Sequence, residues 1–143
     1  AAGAIPRLID MGVERFLLMS TLKVIIAQRL VRRLDPQTRI AFEAPPELIA
    51  RHRLDQYTDQ RPILLYRPDA NSVGGGYHGR SAITELLVMN DELRGLLMRQ
   101  ADAATLEQAA RRNGLVTLFE EGLRQALAGT TSLEEVLRVA RDE

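Results

Sequence analysis

The chain has 143 residues, with 19 basic and 19 acidic side chains that cancel, 45% apolar types and no cysteine. That length provides one domain or two very small ones, and the charge balance argues against a broad electrostatic grip on nucleic acid or anionic lipid. Without cysteine there are no disulfides, thiol nucleophiles or thiolate metal sites, and two histidines, His52 and His78, argue against an imidazole-rich centre.

No apolar run reaches the roughly 18–20 residues of a membrane span, and no signal peptide is visible. The chain begins Ala1-Ala2-Gly3 without an initiator methionine, so it reads as a piece of a longer protein. Along residues 12–34, Val13, Phe16, Leu17, Val24, Ile25, Leu30, Val31 and Leu34 recur at threes and fours, which predicts helix. Ser20-Thr21 divides this stretch, leaving one helix or two. In the second part, residues 21–34, Gln28, Arg29, Arg32 and Arg33 load the final turns, where cations complement the helix dipole. Asp35-Pro36 stops it.

The pattern weakens over residues 36–61, apart from two helical turns at 47–53 behind Pro45-Pro46. Ile63-Leu64-Leu65-Tyr66 is β-like. Residues 69–76, with Gly74-Gly75-Gly76, form a turn, and residues 80–89 alternate as a second strand. The two runs are expected to pair as a hairpin. Beyond them Asn90 caps a helix carrying Leu93, Leu96 and Leu97. Thr105 with Gln108 boxes the next, which Asn113-Gly114 ends. A third covers 117–128 and closes at Gly129, and Thr131 with Glu134 boxes a last one over 132–141. The expected class is mainly α with a small β-hairpin, α+β.

Chemistry is sparse. The triple glycine lacks the lysine and following helix of a phosphate loop, so a flexible turn is the better reading. No serine sits in a nucleophile elbow, and His78, beside Tyr77 and Arg80, reads as a solvated loop histidine. Glu120-Glu121 and Glu134-Glu135 are adjacent helical positions that face no common point, and they read as solvated faces or caps. Arg29 and Arg33, four apart on one helical face, repel each other, and a partner carboxylate or phosphate would relieve them. A solvated helix end stands equally with that interface role.

Several stretches resemble one family, the secretion ATPases of type II secretion and type IV pilus assembly. Residues 1–12 (AAGAIPRLIDMG) resemble the segment after that family's histidine box. Ala27-Gln28-Arg29-Leu30-Val31-Arg32 resembles its AQRLVR segment, expected as a helix. Gly76-Tyr77-His78-Gly79-Arg80 with Ile83, Glu85 and Leu86-Leu87 resembles its GYxGRxGIxELL strand. Glu121-Gly122-Leu123 and residues 131–139 (TSLEEVLRV) resemble its carboxy-terminal motifs. The matches follow the family's order and span nearly the whole chain.

The resemblance implies the carboxy-terminal subdomains of a RecA-like hexameric motor. Residues 1–34 would be the helical end of the ATPase core, 35–89 a degenerate zinc-type subdomain with a long loop and hairpin, and 90–143 a helical bundle. The phosphate loop, acidic boxes and histidine box would lie upstream. No cofactor is then expected in this piece, with ATP and magnesium belonging to the parent, and the piece should be inactive alone. Implied partners are other subunits of a homohexameric ring and inner-membrane secretion platform proteins, with no nucleic acid, at the cytoplasmic side of the bacterial inner membrane. Gln28, Arg29 and Arg32 are candidate interface or nucleotide-proximal residues, and Tyr77, Arg80 and Glu85 candidate hairpin anchors.

Most relatives of the type II and pilus-extension branches carry two CxxC zinc pairs. The corresponding positions here are Asp35, Thr38, Asp69 and Ser72, a poor ligand set, so a lost metal site is expected. Ala82 stands where the family prefers glycine, which implies an ordinary strand conformation there. A retraction-type motor is disfavoured, because that branch usually lacks the long insertion kept here. A stand-alone adaptor sharing the fold is the alternative, which the reading frame upstream of Ala1 would decide.

Overall fold

A computed structural model describes residues 1–140. Among them the elements run α1 (Ala4–Asp10), α2 (Arg15–Thr21), β1 (Val24–Leu34), β2 (Ile40–Glu43), α3 (Pro46–His52), β3 (Leu64–Arg67), β4 (Tyr77–Val88), α4 (Asp91–Met98), α5 (Ala103–Arg112), α6 (Leu118–Leu127) and α7 (Leu133–Val139). β1 pairs with β4, and β2 with β3. The fold is α+β. Packing groups the chain into two compact units: Ala1–Ala27 with Thr84–Thr117, and Gln28–Ile83 with the chain from Leu118 on. β1 and β4 each contribute residues to both units.

In the first unit Ile5 and Leu18 of α1 and α2 pack with Leu87 of β4, Leu93 and Leu97 of α4, and Leu106 of α5, all buried. Leu93 and Leu97 lie one turn apart, which is what turns an amphipathic helix onto a core. Asn90 caps α4, its side chain accepting from Leu93 N at 2.8 Å.

In the second unit β2 and β3 run antiparallel with Phe42 opposite Leu65 and Glu43 opposite Leu64. Leu54, Ile63, Leu65, Leu123, Leu133 and Val136 form its core. Pro46 opens α3, where its missing N–H would have no partner anyway. At Gly122 a Cβ would stand 2.6 Å from Val136 Cγ1, so glycine lets α6 and α7 approach.

Four expectations are corrected. Residues 24–34 form strand β1, not the helix expected over 21–34. Its β-branched Val24, Ile25, Ile26 and Val31 favour a pleated surface over a helical stripe. Second, the runs around Ile63 and Ile83 do not pair as a hairpin. β3 takes β2 as its partner, a four-residue strand too short to leave a periodic signal. Third, α5 is capped by Asp102, which accepts from Thr105 N at 2.8 Å, not by Thr105. Finally, Ser132, not Thr131, caps α7. The carboxylate or hydroxyl three residues before a free amide does the capping, and in both places another polar residue stood nearby. Arg141, the expected last residue of α7, lies outside the described residues.

Candidate functional site

The densest polar cluster lies in the second unit, where residues 130–135 run along β1. Leu34 N donates to Thr130 O at 2.9 Å, and Thr131 Oγ1 donates to Arg32 O at 2.8 Å. Arg32 N donates to Glu135 Oε1 at 3.1 Å. The backbone of Arg32 is thus satisfied by the start of α7, which covers part of an otherwise open strand edge.

Glu135 is the centre of the cluster and is 1% exposed. Arg32 Nη2 donates to its Oε2 at 3.0 Å, and Arg138 Nη2 to its Oε1 at 2.6 Å. The Nε of each guanidinium also donates to it. Burial pushes the Glu135 carboxyl up, but the bonds from Arg138 and Arg32 outweigh it and hold the group down at about 2. The same contacts raise both guanidiniums. Arg32 lies over the Tyr77 ring at 4.2 Å, and the Tyr77 hydroxyl and Ser132 Oγ are 2.8 Å apart. Arg29 donates to the carbonyl of Val139, the last residue of α7, where helix carbonyls lack partners of their own.

A second feature consists of two facing turns. Asp35 Oδ1 accepts from Gln37 N at 2.9 Å, and Asp69 Oδ1 from Asn71 N at 3.1 Å, so each aspartate bonds its own backbone two residues on. Ser72 Oγ donates to Asp69 O at 2.7 Å and meets Thr38 Oγ1 at 3.5 Å. Gly76 has φ +89°, and a Cβ there would lie 2.6 Å from Pro68 Cβ. Of the four positions that resemble zinc ligands, Thr38 and Ser72 meet across the two turns. The chemistry of the four does not fit zinc, because two offer neutral hydroxyls and the carboxylates already serve backbone amides. Among the described residues no group of three or more histidine, aspartate or glutamate side chains could hold a metal.

Nor does the triple-glycine turn fit a nucleotide's phosphates. Gly74, Gly75 and Gly76 all have positive φ, but a strand follows them instead of the helix whose N-terminus a phosphate loop uses.

Of the residues singled out from sequence, Arg32 binds Glu135 and Arg29 binds the carbonyl of Val139, whereas Gln28 is exposed. In a strand Arg29 and Arg33 stand about 13 Å apart, so the repulsion expected in a helix does not arise. Tyr77 reaches both Arg32 and Ser132. Glu85 is buried in the first unit, where it accepts from the Ala1 backbone nitrogen. Arg80 is exposed and its side chain makes no hydrogen bond among the described residues, and His78 is exposed in β4. Sequence reading missed Glu135, Arg138 and Ser132. The sequence reads Glu134-Glu135 as a solvated helix face or cap, but Glu135 is buried. The legible signal was its position directly before the buried Val136, with Arg138 three residues on.

The family model described as type II/IV secretion system protein matches residues 1–138. Type II secretion system protein E of Xanthomonas campestris pv. campestris is 51% identical over 143 residues, covering 99% of this chain and 25% of that protein. Type IV pilus assembly ATPase PilB of Thermus thermophilus is 42% identical, covering 96% of this chain and 16% of that protein. Type II secretion system ATPase E of Vibrio cholerae is 38% identical, covering 99% of this chain and 28% of that protein. The chain therefore spans between 16% and 28% of the length of these relatives. With a match over nearly all its residues, it belongs to the type II/IV secretion system protein family.

Proposed function

We propose that this chain acts as the carboxy-terminal part of a RecA-like secretion motor ATPase that powers pseudopilus or pilus assembly in type II secretion. The observation that carries this reading is the match over residues 1–138 together with the names its relatives bear. The chain contributes packing between subunits of a homohexameric ring and passes on motion, while ATP and magnesium are held by the rest of the motor. Its place is the cytoplasmic side of the inner membrane, beside platform proteins. Among the described residues no helix is long and apolar enough to cross a membrane, in keeping with a peripheral part.

A physical observation supports membership in a larger body. In the first unit Ile25 and Leu87 face the core, and the opposite side of the strands leaves Val24, Ile26, Leu86 and Val88 exposed. A contiguous aliphatic face of this kind is one that assemblies cover.

Gln28, Arg29 and Arg32 are the residues we assign to a neighbouring subunit, with Tyr77 and Glu85 anchoring β4 through Arg32, Ser132 and Ala1. The test is Arg29→Ala in the complete motor. It should lower ATP turnover or ring assembly at least severalfold while leaving this region folded, since the side chain is exposed and loses one bond to Val139. Normal secretion with normal turnover would defeat the assignment.

A further inference from the structure

His52 is the last residue of α3, and its ring lies against Phe119 of α6, with centroids 5.8 Å apart and planes inclined at 60°. Both residues belong to the second unit. The ring's Nε2 is buried and has no hydrogen-bond partner. A neutral imidazole can keep its proton on Nδ1 and leave Nε2 bare, whereas an imidazolium must carry an N–H at both nitrogens. At Nε2 that N–H would be a charged donor without an acceptor, which costs more than a neutral group left unpaired. Burial, and after it the Arg51 guanidinium, hold the pKa below the ordinary 6.5. The other charged groups of these two helices are Glu47 on α3 and Glu120, Glu121 and Arg124 on α6, with Arg53 and Asp55 in the turn after α3. Among the described residues only Arg51 acts on the ring by its charge, and none of these carboxylates offsets it.

Elsewhere α3 is held loosely. It has seven residues, none of them fully buried, and so short a helix does not stand without tertiary support. Arg53, directly after it, has φ +52°, in the left-handed region that side chains rarely adopt. The remaining hold comes from Leu48 and Ile49, which are partly buried against the core of this unit. We propose that His52 is an acid-operated latch, whose neutral ring keeps the last turn of α3 on Phe119 and whose protonation releases that turn. Leaving the interface gives Nε2–H the water that the docked position denies it. Leu48 and Ile49 also wall two cavities of this unit, of about 320 and 580 Å³, so release of α3 widens both. Above pH 6.5 the ring is neutral in docked and released forms alike, and the latch holds in full. As pH falls below 6.5 the released form takes up the proton first, and the hold is lost.

The test follows, by NMR of the 143-residue chain, the His52 Cε1–Hε1 signal and the exchange of the amides of residues 50–53 from about pH 8 to pH 5. The His52 midpoint should lie lower in the native chain than in urea. Exchange at the end of α3, corrected for the intrinsic effect of pH, should rise below that midpoint while α6 and β3 stay protected. A midpoint about one unit lower corresponds to a rise of about tenfold, because proton uptake and release of the helix are linked. His52→Phe keeps an aromatic ring and removes the proton, so its α3 exchange should not respond over this range. If that variant does not fold, the titration of the natural chain still decides. Equal midpoints in the native chain and in urea, a lowered midpoint with no rise in α3 exchange, or a His52→Phe chain as acid-sensitive as the natural one would each overturn the proposal. None of these outcomes touches the motor reading, which turnover of the complete protein tests separately.

Discussion

Glu135 shows how a single carboxylate couples folding to pH. Its ordinary pKa of 4.5 falls to about 2 in the folded chain, because two guanidiniums and a backbone amide stabilise the charged form more than burial penalises it. Above pH 4.5 the group is ionised in folded and unfolded chains alike, and the native state carries the full benefit, on the order of 3 kcal/mol. As pH falls from 4.5 toward 2 the unfolded chain takes up the proton first, and the benefit drains away. Urea midpoints measured from pH 7 to pH 3 should therefore drop more steeply for the natural chain than for Glu135→Gln, which should be less stable at pH 7. Parallel curves would refute this account. A sequence reader sees the glutamate and both arginines. The missing knowledge is that β1 comes to α7 from about a hundred residues away, which no local pattern encodes.

At the scale of elements, the close approach of α6 and α7 depends on Gly122. Alanine is the better helix former by about 1 kcal/mol. At this position, however, its Cβ would stand 2.6 Å from Val136, and overpacking of that kind costs about 1–3 kcal/mol. Gly122→Ala should lower the unfolding midpoint instead of raising it, as thermal denaturation will read out. The two facing turns carry another prediction. Two thiolates bound to one tetrahedral zinc stand about 3.8 Å apart, and Thr38 Oγ1 and Ser72 Oγ are already at 3.5 Å. Replacing Asp35, Thr38, Asp69 and Ser72 together by cysteine should create a stoichiometric zinc site, measured by metal analysis, while the natural chain should take up none. A metal-free quadruple variant would show that the turns are not spaced for zinc. Helix ends were legible within one to three residues, since a cap is a local event. Strand partners were not, because β2 and β3 owe their existence to each other.

For the whole molecule, the two cores are separate sets of side chains, and each draws on distant parts of the sequence. The uncovered aliphatic face of the first unit has a consequence for the larger protein. Ile26→Asp with Leu86→Asp should change the stability of this chain little, since both side chains are more than half exposed. The same pair should sharply reduce ATP turnover or assembly in the complete motor, and full activity there would remove this face from any interface. By itself the sequence determined the family, most helices of the second half and the absence of thiol chemistry, because motifs, caps and composition are local and survive without coordinates. Tertiary structure alone decided that residues 24–34 are a strand, that Glu135 is a buried centre, and that the turns at 35–38 and 69–72 meet. Each of these depends on neighbours distant in sequence, whose burial and hydrogen bonds override local propensity.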